Sequence, residues 1–233
     1  MKKLKIAIIT YDWPPRNSVS VHRPFSWARY WSENGHEITV LTSKKKSFDS
    51  PLDLDLEELN GVKVIEVPYK INGGLLLKIP LIEKLGKWLR RKFINYLGPN
   101  SDPRNYWLYA ASPIFSKLAR ESDIVVSTYG PEVAHIIGSR MKNLNPSIYW
   151  IADYRDLWSE NPVFFKAPKR LKEKIQYYEK QIVGKYADLI TGVSGDICNR
   201  LTKLHNKAAI KITNGYDVDD QTIKTIISKK YIN

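Results

Sequence analysis

The sequence contains very little cysteine, which limits the chemistry available to the chain. Cys198 is the single cysteine among 233 residues, so an intramolecular disulfide and a thiolate metal cluster are both excluded. A lone thiol is typical of a reducing compartment, and we therefore predict a cytoplasmic protein. The four histidines are scattered without the spacing of metal ligands, which predicts that no metal and no other cofactor is required.

Long hydrophobic runs and nucleotide-binding loops are also missing. No stretch reaches the roughly 18 apolar residues of a membrane-spanning helix. The apolar run Leu4–Ile9 is too short for a signal peptide and soon meets Asp12, which indicates a buried strand. Neither a GxGxxG motif nor a P-loop occurs, so neither a nicotinamide enzyme nor a P-loop NTPase is supported.

Positive charge is in clear excess. Lysine and arginine total 37 against 24 acidic residues, for a formal net charge of +13, and 43% of the residues are hydrophobic. The composition is that of a globular domain, and the charge favours an anionic partner such as nucleic acid, an acidic membrane surface or a phosphorylated substrate. Because no nucleic-acid-binding signature is found, we expect no specific nucleic-acid partner.

Short apolar runs alternate with segments of helical spacing. This pattern predicts an α/β protein with a Rossmann-like open sheet of about seven mostly parallel strands and helices on both faces. The predicted strands are Lys5–Thr10, Glu37–Leu41, Val62–Val67, Asp123–Ser127, Ile148–Ile151, Leu189–Val193 and Ile210–Thr213.

One segment between the third and fourth strands is amphipathic and basic. Residues 81–97 place apolar side chains on one helical face and lysines and arginines, such as Lys84 and Arg91, on the other. Such a helix either lies on an anionic membrane surface or is an ordinary surface helix with solvated lysines. The first interpretation predicts a peripheral protein at the inner face of the membrane.

Ligands of an open parallel sheet bind at the carboxyl ends of its strands, so the loops there are the candidate site. The loop after the first strand carries Asn17, Ser18, His22 and Arg23 at a predicted helix start, where backbone amides favour anions. The competing interpretation is a proline-stiffened turn with Ser20 as the helix cap.

The loop after the fourth strand carries further candidates. After the fourth strand, Tyr129, Gly130 and Glu132 suit either hydrogen bonding to a polyol or a well-capped turn.

The fifth strand is followed by a charged cluster. Asp153, Arg155 and Asp156 occur within four residues, with Trp158 close behind. Carboxylates at a strand end serve as a general base or stabilise an oxocarbenium-like centre, whereas a structural ion-pair network would also crowd charges here.

The ordered motifs resemble the N-terminal domain of GT-B glycosyltransferases of family 4. The DYRDLW segment at Asp153–Trp158 is similar to the family's D-F-R-D-x-W, and the segment Trp31–Thr42 is similar to its L…GHEVTVLT. The remaining matching pieces are Lys5–Thr10 with the following Pro14-Pro15 and Arg23, Asp123–Glu132, Ala187–Ser194 and Lys211–Asp220.

The resemblance implies a retaining, metal-independent hexosyltransferase of polysaccharide biosynthesis. In this family the N-terminal domain binds the acceptor, a glycan or a lipid-linked glycan, and the C-terminal domain binds the nucleotide sugar. By the same resemblance, Asn17 to Arg23 contact acceptor or donor phosphate, Asp153 and then Asp156 lie beside the reacting sugar, and Arg155 orients or pairs with them.

The chain departs from the family in two ways. The stretch Arg16–Ser20 replaces the family's glycine pair after Pro-Pro, and 233 residues cannot hold two Rossmann-like domains. We therefore expect a domain over residues 1–215, a linker or helix over 216–233, and no donor-binding domain. The isolated chain is then inactive without that domain or a partner subunit, or it is a non-catalytic binding module.

Overall fold

The computed structural model describes residues 2–45, 50–68, 103–161 and 168–215. The basic segment 81–97 and the predicted linker 216–233 lie outside the described residues. Within the described ranges, no helix is both long and apolar enough to cross a bilayer.

Seven strands form one parallel sheet, which confirms the predicted fold class. Their order is β3-β2-β1-β4-β5-β6-β7, and each neighbouring pair runs parallel. The order reverses between β1 and β4, which is where ligands bind in doubly wound sheets. The strands are β1 Lys5–Ile9, β2 Glu37–Ser43, β3 Val62–Val67, β4 Ile124–Thr128, β5 Tyr149–Tyr154, β6 Leu189–Gly192 and β7 Ala209–Lys211.

Helices cover both faces of the sheet. The described α-helices are α1 Val19–Glu33, α2 Trp107–Glu121, α3 Val133–Leu144, α4 Lys169–Glu179 and α5 Gly195–His205. A 3₁₀ turn over Pro103–Tyr106 precedes α2, and a π-helical turn over Lys180–Gly184 continues α4. The side chains of Val21, Phe25 and Ala28 bury α1 against one face, while α2 to α5 contribute to the core on the other.

The fifth strand is longer than predicted. The apolar pattern placed its end at Ile151, but β5 continues through Asp153 and Tyr154, which pair with Thr191 and Gly192 of β6. The sequence misled us because a carboxylate normally ends a buried strand. Here the Asp153 carboxylate accepts side-chain hydrogen bonds in the interior, so its burial is tolerated.

A buried polar network lies beneath the carboxyl edge of the sheet. Trp150 donates from Nε1 to Oγ of Ser127 at 2.8 Å, and the same oxygen lies 2.8 Å from Nδ1 of His135. The Ser127 hydroxyl, which can both donate and accept, thus joins the Trp150 indole to the His135 imidazole inside the protein. Full burial lowers the pKa of His135 from 6.5 to about 3.

This burial predicts that acid weakens the fold. An unfolded histidine titrates near pH 6.5, whereas folded His135 stays neutral down to about pH 3, so its contribution is complete above 6.5 and is lost as pH falls. Between pH 7 and pH 5 we expect the unfolding free energy to drop by about 2 kcal/mol from this group. Urea denaturation at pH 7 and at pH 5 measures this drop in unfolding free energy, and the drop should be smaller in His135→Gln. An equally steep drop in that variant would contradict the assignment.

Candidate functional site

An open cleft of about 630 Å³ lies at the carboxyl edge of the sheet. One wall is α1, and the other comes from the chain that follows β5, β6 and β7. Because parallel strands all end at this edge, residues far apart in sequence meet in the cleft. Its lining residues are Val19, His22, Arg23, Ser26, Trp27, Tyr30, Arg155, Asp156, Val193, Thr213, Asn214 and Gly215.

The floor beside the cleft is a buried ion pair between Arg23 and Asp153. Nη2 of Arg23 donates to Oδ1 at 2.7 Å and Nε donates to Oδ2 at 3.1 Å, and both side chains are at most 5% exposed. The hydroxyls of Thr191 and Thr128 donate to the same carboxylate at 2.7 and 3.2 Å. Asp153 therefore accepts four hydrogen bonds inside the protein.

Arg23 also connects α1 with the chain leaving β7. Its Nη1 donates to the carbonyl of Thr213 and to Oδ1 of Asn214, each at 3.2 Å. The guanidinium lies 4.8 Å from the ring centroid of Trp27, which in turn stacks on Trp31 at 5.7 Å. The Arg23 side chain is thus held from several directions and gives the cleft one fixed wall.

Arg155 does not form the predicted pair with Asp153, whose ionic partner is Arg23. Instead, Nη2 and Nε of Arg155 donate to the carbonyl of Tyr129 at 2.9 and 3.3 Å. Asp153 lies within β5, and its carboxylate faces Arg23 on α1. Arg155 lies just beyond the end of β5, which is Tyr154. Burial lowers the pKa of the Arg155 guanidinium from its ordinary value, and it stays charged at neutral pH.

Gly130 leaves the space that the Arg155 side chain occupies. Its φ is +117°, and a Cβ added there would overlap Nη2 of Arg155. Gly35 has a φ of +85°, but a Cβ there would meet nothing within 4 Å. Both glycines therefore have a positive φ that a side chain disfavours, but only at Gly130 would a Cβ also overlap a neighbouring side chain.

We expect Gly130→Ala to destabilise the fold by about 1–3 kcal/mol, because it combines backbone strain with displacement of Arg155. Gly35→Ala should show only the strain, so its loss should be smaller. Urea denaturation of the two variants compares them directly. Equal losses of stability in the two variants would mean that the Arg155 side chain moves aside without a loss of free energy.

The other predicted site residues occupy three environments. His22 and Asp156 are exposed and line the cleft. Asn17 is exposed on the first loop. The N-cap of α1 is Ser18 and not the predicted Ser20, which lies in the first turn of the helix and donates its backbone N–H to Ser18. Catalytic and binding roles for all of these residues stay predictions.

The remaining candidates belong to the packing behind the cleft. Tyr129 stacks on Tyr154 with ring centroids 6.0 Å apart, and Trp158 is 1% exposed beside Tyr129. Glu132 is 9% exposed and accepts a hydrogen bond from Asn105 at 3.0 Å. Gly130 leaves room for the Arg155 side chain, and the Tyr129 carbonyl accepts its hydrogen bonds. Asp153 holds Arg23, and a catalytic role for Asp153 stays a prediction.

Sequence analysis missed part of the α1 wall. Val19, Ser26 and Tyr30 follow a spacing of three to seven residues, which places them on one helical face with Arg23. The residues after β7, Thr213 and Asn214, gave no chemical signal, since threonine and asparagine are common in any loop.

No group of three or more metal-ligating side chains is assembled in the described parts of the chain. The charged groups of the described cleft lining are Arg23, which Asp153 neutralises, and Arg155 with the neighbouring Asp156, and an exposed histidine lies beside them. These groups donate hydrogen bonds and stabilise charge, which is chemistry suited to polar organic ligands.

Comparison with known proteins agrees with this fold. The sequence matches no family model and no curated protein. Among solved structures, HepE of Anabaena, in complex with UDP and glucose, aligns with a TM-score of 0.52 at 12% identity over 98% of this chain and 50% of HepE. The fold is that of a GT-B glycosyltransferase domain.

A second solved structure supports the same assignment. Sucrose-phosphate synthase of Thermosynechococcus elongatus aligns with a TM-score of 0.51 at 15% identity, over 97% of this chain and 97% of the solved chain. The chain thus spans half the length of HepE and nearly all of the sucrose-phosphate synthase chain. At these identities the likeness concerns the GT-B fold alone.

Proposed function

We propose that this chain is the acceptor-binding half of a retaining glycosyltransferase, which transfers a sugar from a nucleotide sugar to a glycan or lipid-linked acceptor. One observation carries the proposal: the open cleft lies at the carboxyl edge of a GT-B domain and is lined by Arg155 and Asp156. The second Rossmann-like domain, or a partner subunit, would bring the donor to this edge.

The neighbours indicate which donor to test first. HepE was solved with UDP and glucose bound, and it aligns over nearly the whole of this chain. UDP-glucose is therefore the first donor of choice, and no metal is needed in this proposal. Retention of the anomeric configuration follows from the resemblance of the motifs to family 4.

The proposed step is a substitution at the anomeric carbon of the donor, in which the acceptor hydroxyl attacks from the same face that the nucleoside diphosphate leaves, so that the configuration is retained. The bond from this carbon to the phosphate oxygen breaks and its electron pair leaves with the nucleoside diphosphate, while the acceptor hydroxyl oxygen forms the new bond. Arg155 stabilises the negative charge that develops on the leaving group. Asp156 accepts the hydroxyl proton, because it is the carboxylate among the described lining residues.

A transfer assay on the protein isolated from its own cells, at the length those cells make, tests the proposal. With labelled UDP-sugars and a glycan extract as acceptor, we expect an acceptor whose mass increases by one hexose unit. Proton NMR of the product reports whether the anomeric configuration is retained. Failure of every nucleotide sugar to react, with glycan binding preserved, would favour the non-catalytic binding module instead.

A further inference from the structure

The charge of the cleft differs sharply from the charge of the whole chain. The chain carries a net +13, yet the Arg23 charge in the cleft is neutralised by Asp153 behind it. Arg155 is followed directly by the exposed Asp156, which also lines the cleft. Each arginine of the described lining thus has a carboxylate close by, so the lining offers no surplus of positive charge to an acidic acceptor.

Serine side chains cap the two helices that begin near the cleft. Ser18 caps α1 by accepting from the backbone N–H of Ser20 at 3.4 Å. Ser194 caps α5 by accepting from the N–H of Ile197 at 3.3 Å. A phosphate at either end would compete with an existing cap for these amides.

Most of the described residues that line the cleft are uncharged. Ser26, Thr213 and Asn214 present hydroxyl and amide groups, and Tyr30 presents an aromatic ring that is 49% exposed. The Tyr30 ring is held by Arg29, whose guanidinium lies 4.7 Å from the ring centroid and donates to its hydroxyl at 3.0 Å. An exposed, fixed ring beside hydroxyl and amide groups matches the mixed apolar and polar faces of a sugar.

From these observations we infer that the acceptor recognised by this cleft is a neutral saccharide, whose ring packs on Tyr30, rather than a phosphorylated or acidic one. The inference rests on the proposed function and names its substrate class. It runs against the expectation from overall charge, because the described lining residues include two arginines and no lysine.

Direct binding to the chain distinguishes the two classes. Saturation-transfer NMR and calorimetry would compare neutral disaccharides with two acidic acceptor probes, a phosphorylated disaccharide and a glucuronic-acid disaccharide, at low and high salt. We expect a neutral disaccharide to bind with little salt dependence. Tighter, salt-sensitive binding of an anionic probe, or no binding of any neutral disaccharide, would overturn the inference.

A matched pair of variants locates the binding. Tyr30→Ala should weaken neutral-disaccharide binding about tenfold, since it removes the aromatic contact. Tyr109→Ala is the control, because Tyr109 is 69% exposed on α2 and does not line the cleft. Equal affinities of the two variants would contradict a role for Tyr30.

The failure of this inference can be told apart from failure of the proposed function. Sugar transfer to acidic acceptors alone would reject the neutral acceptor and leave the glycosyltransferase proposal standing. Binding of a neutral disaccharide that depends on Tyr30, without transfer from any nucleotide sugar, would reject the glycosyltransferase proposal and leave the ligand class standing.

Discussion

Asp153→Ala is expected to destabilise the fold by about 3–5 kcal/mol, because it leaves a buried guanidinium without its counter-ion. Arg23 is 5% exposed, so water cannot replace the lost carboxylate. The Thr191 hydroxyl, which donates to Asp153 at 2.7 Å, loses its acceptor as well. Urea denaturation monitored by tryptophan fluorescence measures the loss.

Two further variants separate the effect of an unpaired buried charge from the effect of losing any ion pair. The double variant Arg23→Met with Asp153→Leu should recover most of the stability, since removing both charges avoids an unpaired one. Asp196→Ala is the surface control, because its pair with Arg200 spans 3.8 Å and Asp196 is 79% exposed. If Asp153→Ala lost no more stability than Asp196→Ala, the buried pair would not support the cleft.

Arg155→Ala is expected to lower kcat/KM for sugar transfer about 100-fold, as is typical when a donor that stabilises developing charge is removed. The loss should appear mainly in kcat, because the proposed contact strengthens as the leaving group becomes charged. Arg155→Lys should recover only part of the rate. A lysine keeps the charge but cannot reproduce the two guanidinium contacts to the Tyr129 carbonyl.

The control for this variant removes the same charge elsewhere. Arg140 is exposed on α3 and does not line the cleft. Arg140→Ala should therefore leave transfer unchanged, while it alters the net charge by the same amount. Transfer at the wild-type rate in Arg155→Ala would remove Arg155 from the proposed chemistry.

The sheet was predictable because each strand is a local apolar pattern. The β3 bounds Val62–Val67 were predicted as they stand, and all seven strands were found in sequence order. The error at β5 has a physical origin, since one carboxylate was assumed to end the strand. Its tolerance depends on Arg23, which lies 130 residues away in sequence.

The cleft was predictable only in part. The rule that ligands bind at strand ends identified His22, Arg23, Arg155 and Asp156, and all four line the cleft. The partner of Asp153 was not predictable, because an adjacent arginine offered a nearer counter-ion in sequence. Only the three-dimensional direction of each side chain shows that Arg155 reaches Tyr129 instead.

The contacts of Arg23 bear on the order in which the ribosome completes this protein. Arg23 is synthesised 130 residues before Asp153 and 190 residues before Thr213, whose carbonyl also accepts from it. Until then a growing chain carries an arginine whose buried partners have not emerged. The contacts that hold the Arg23 wall of the cleft can therefore all form only after the chain has been synthesised through Asn214.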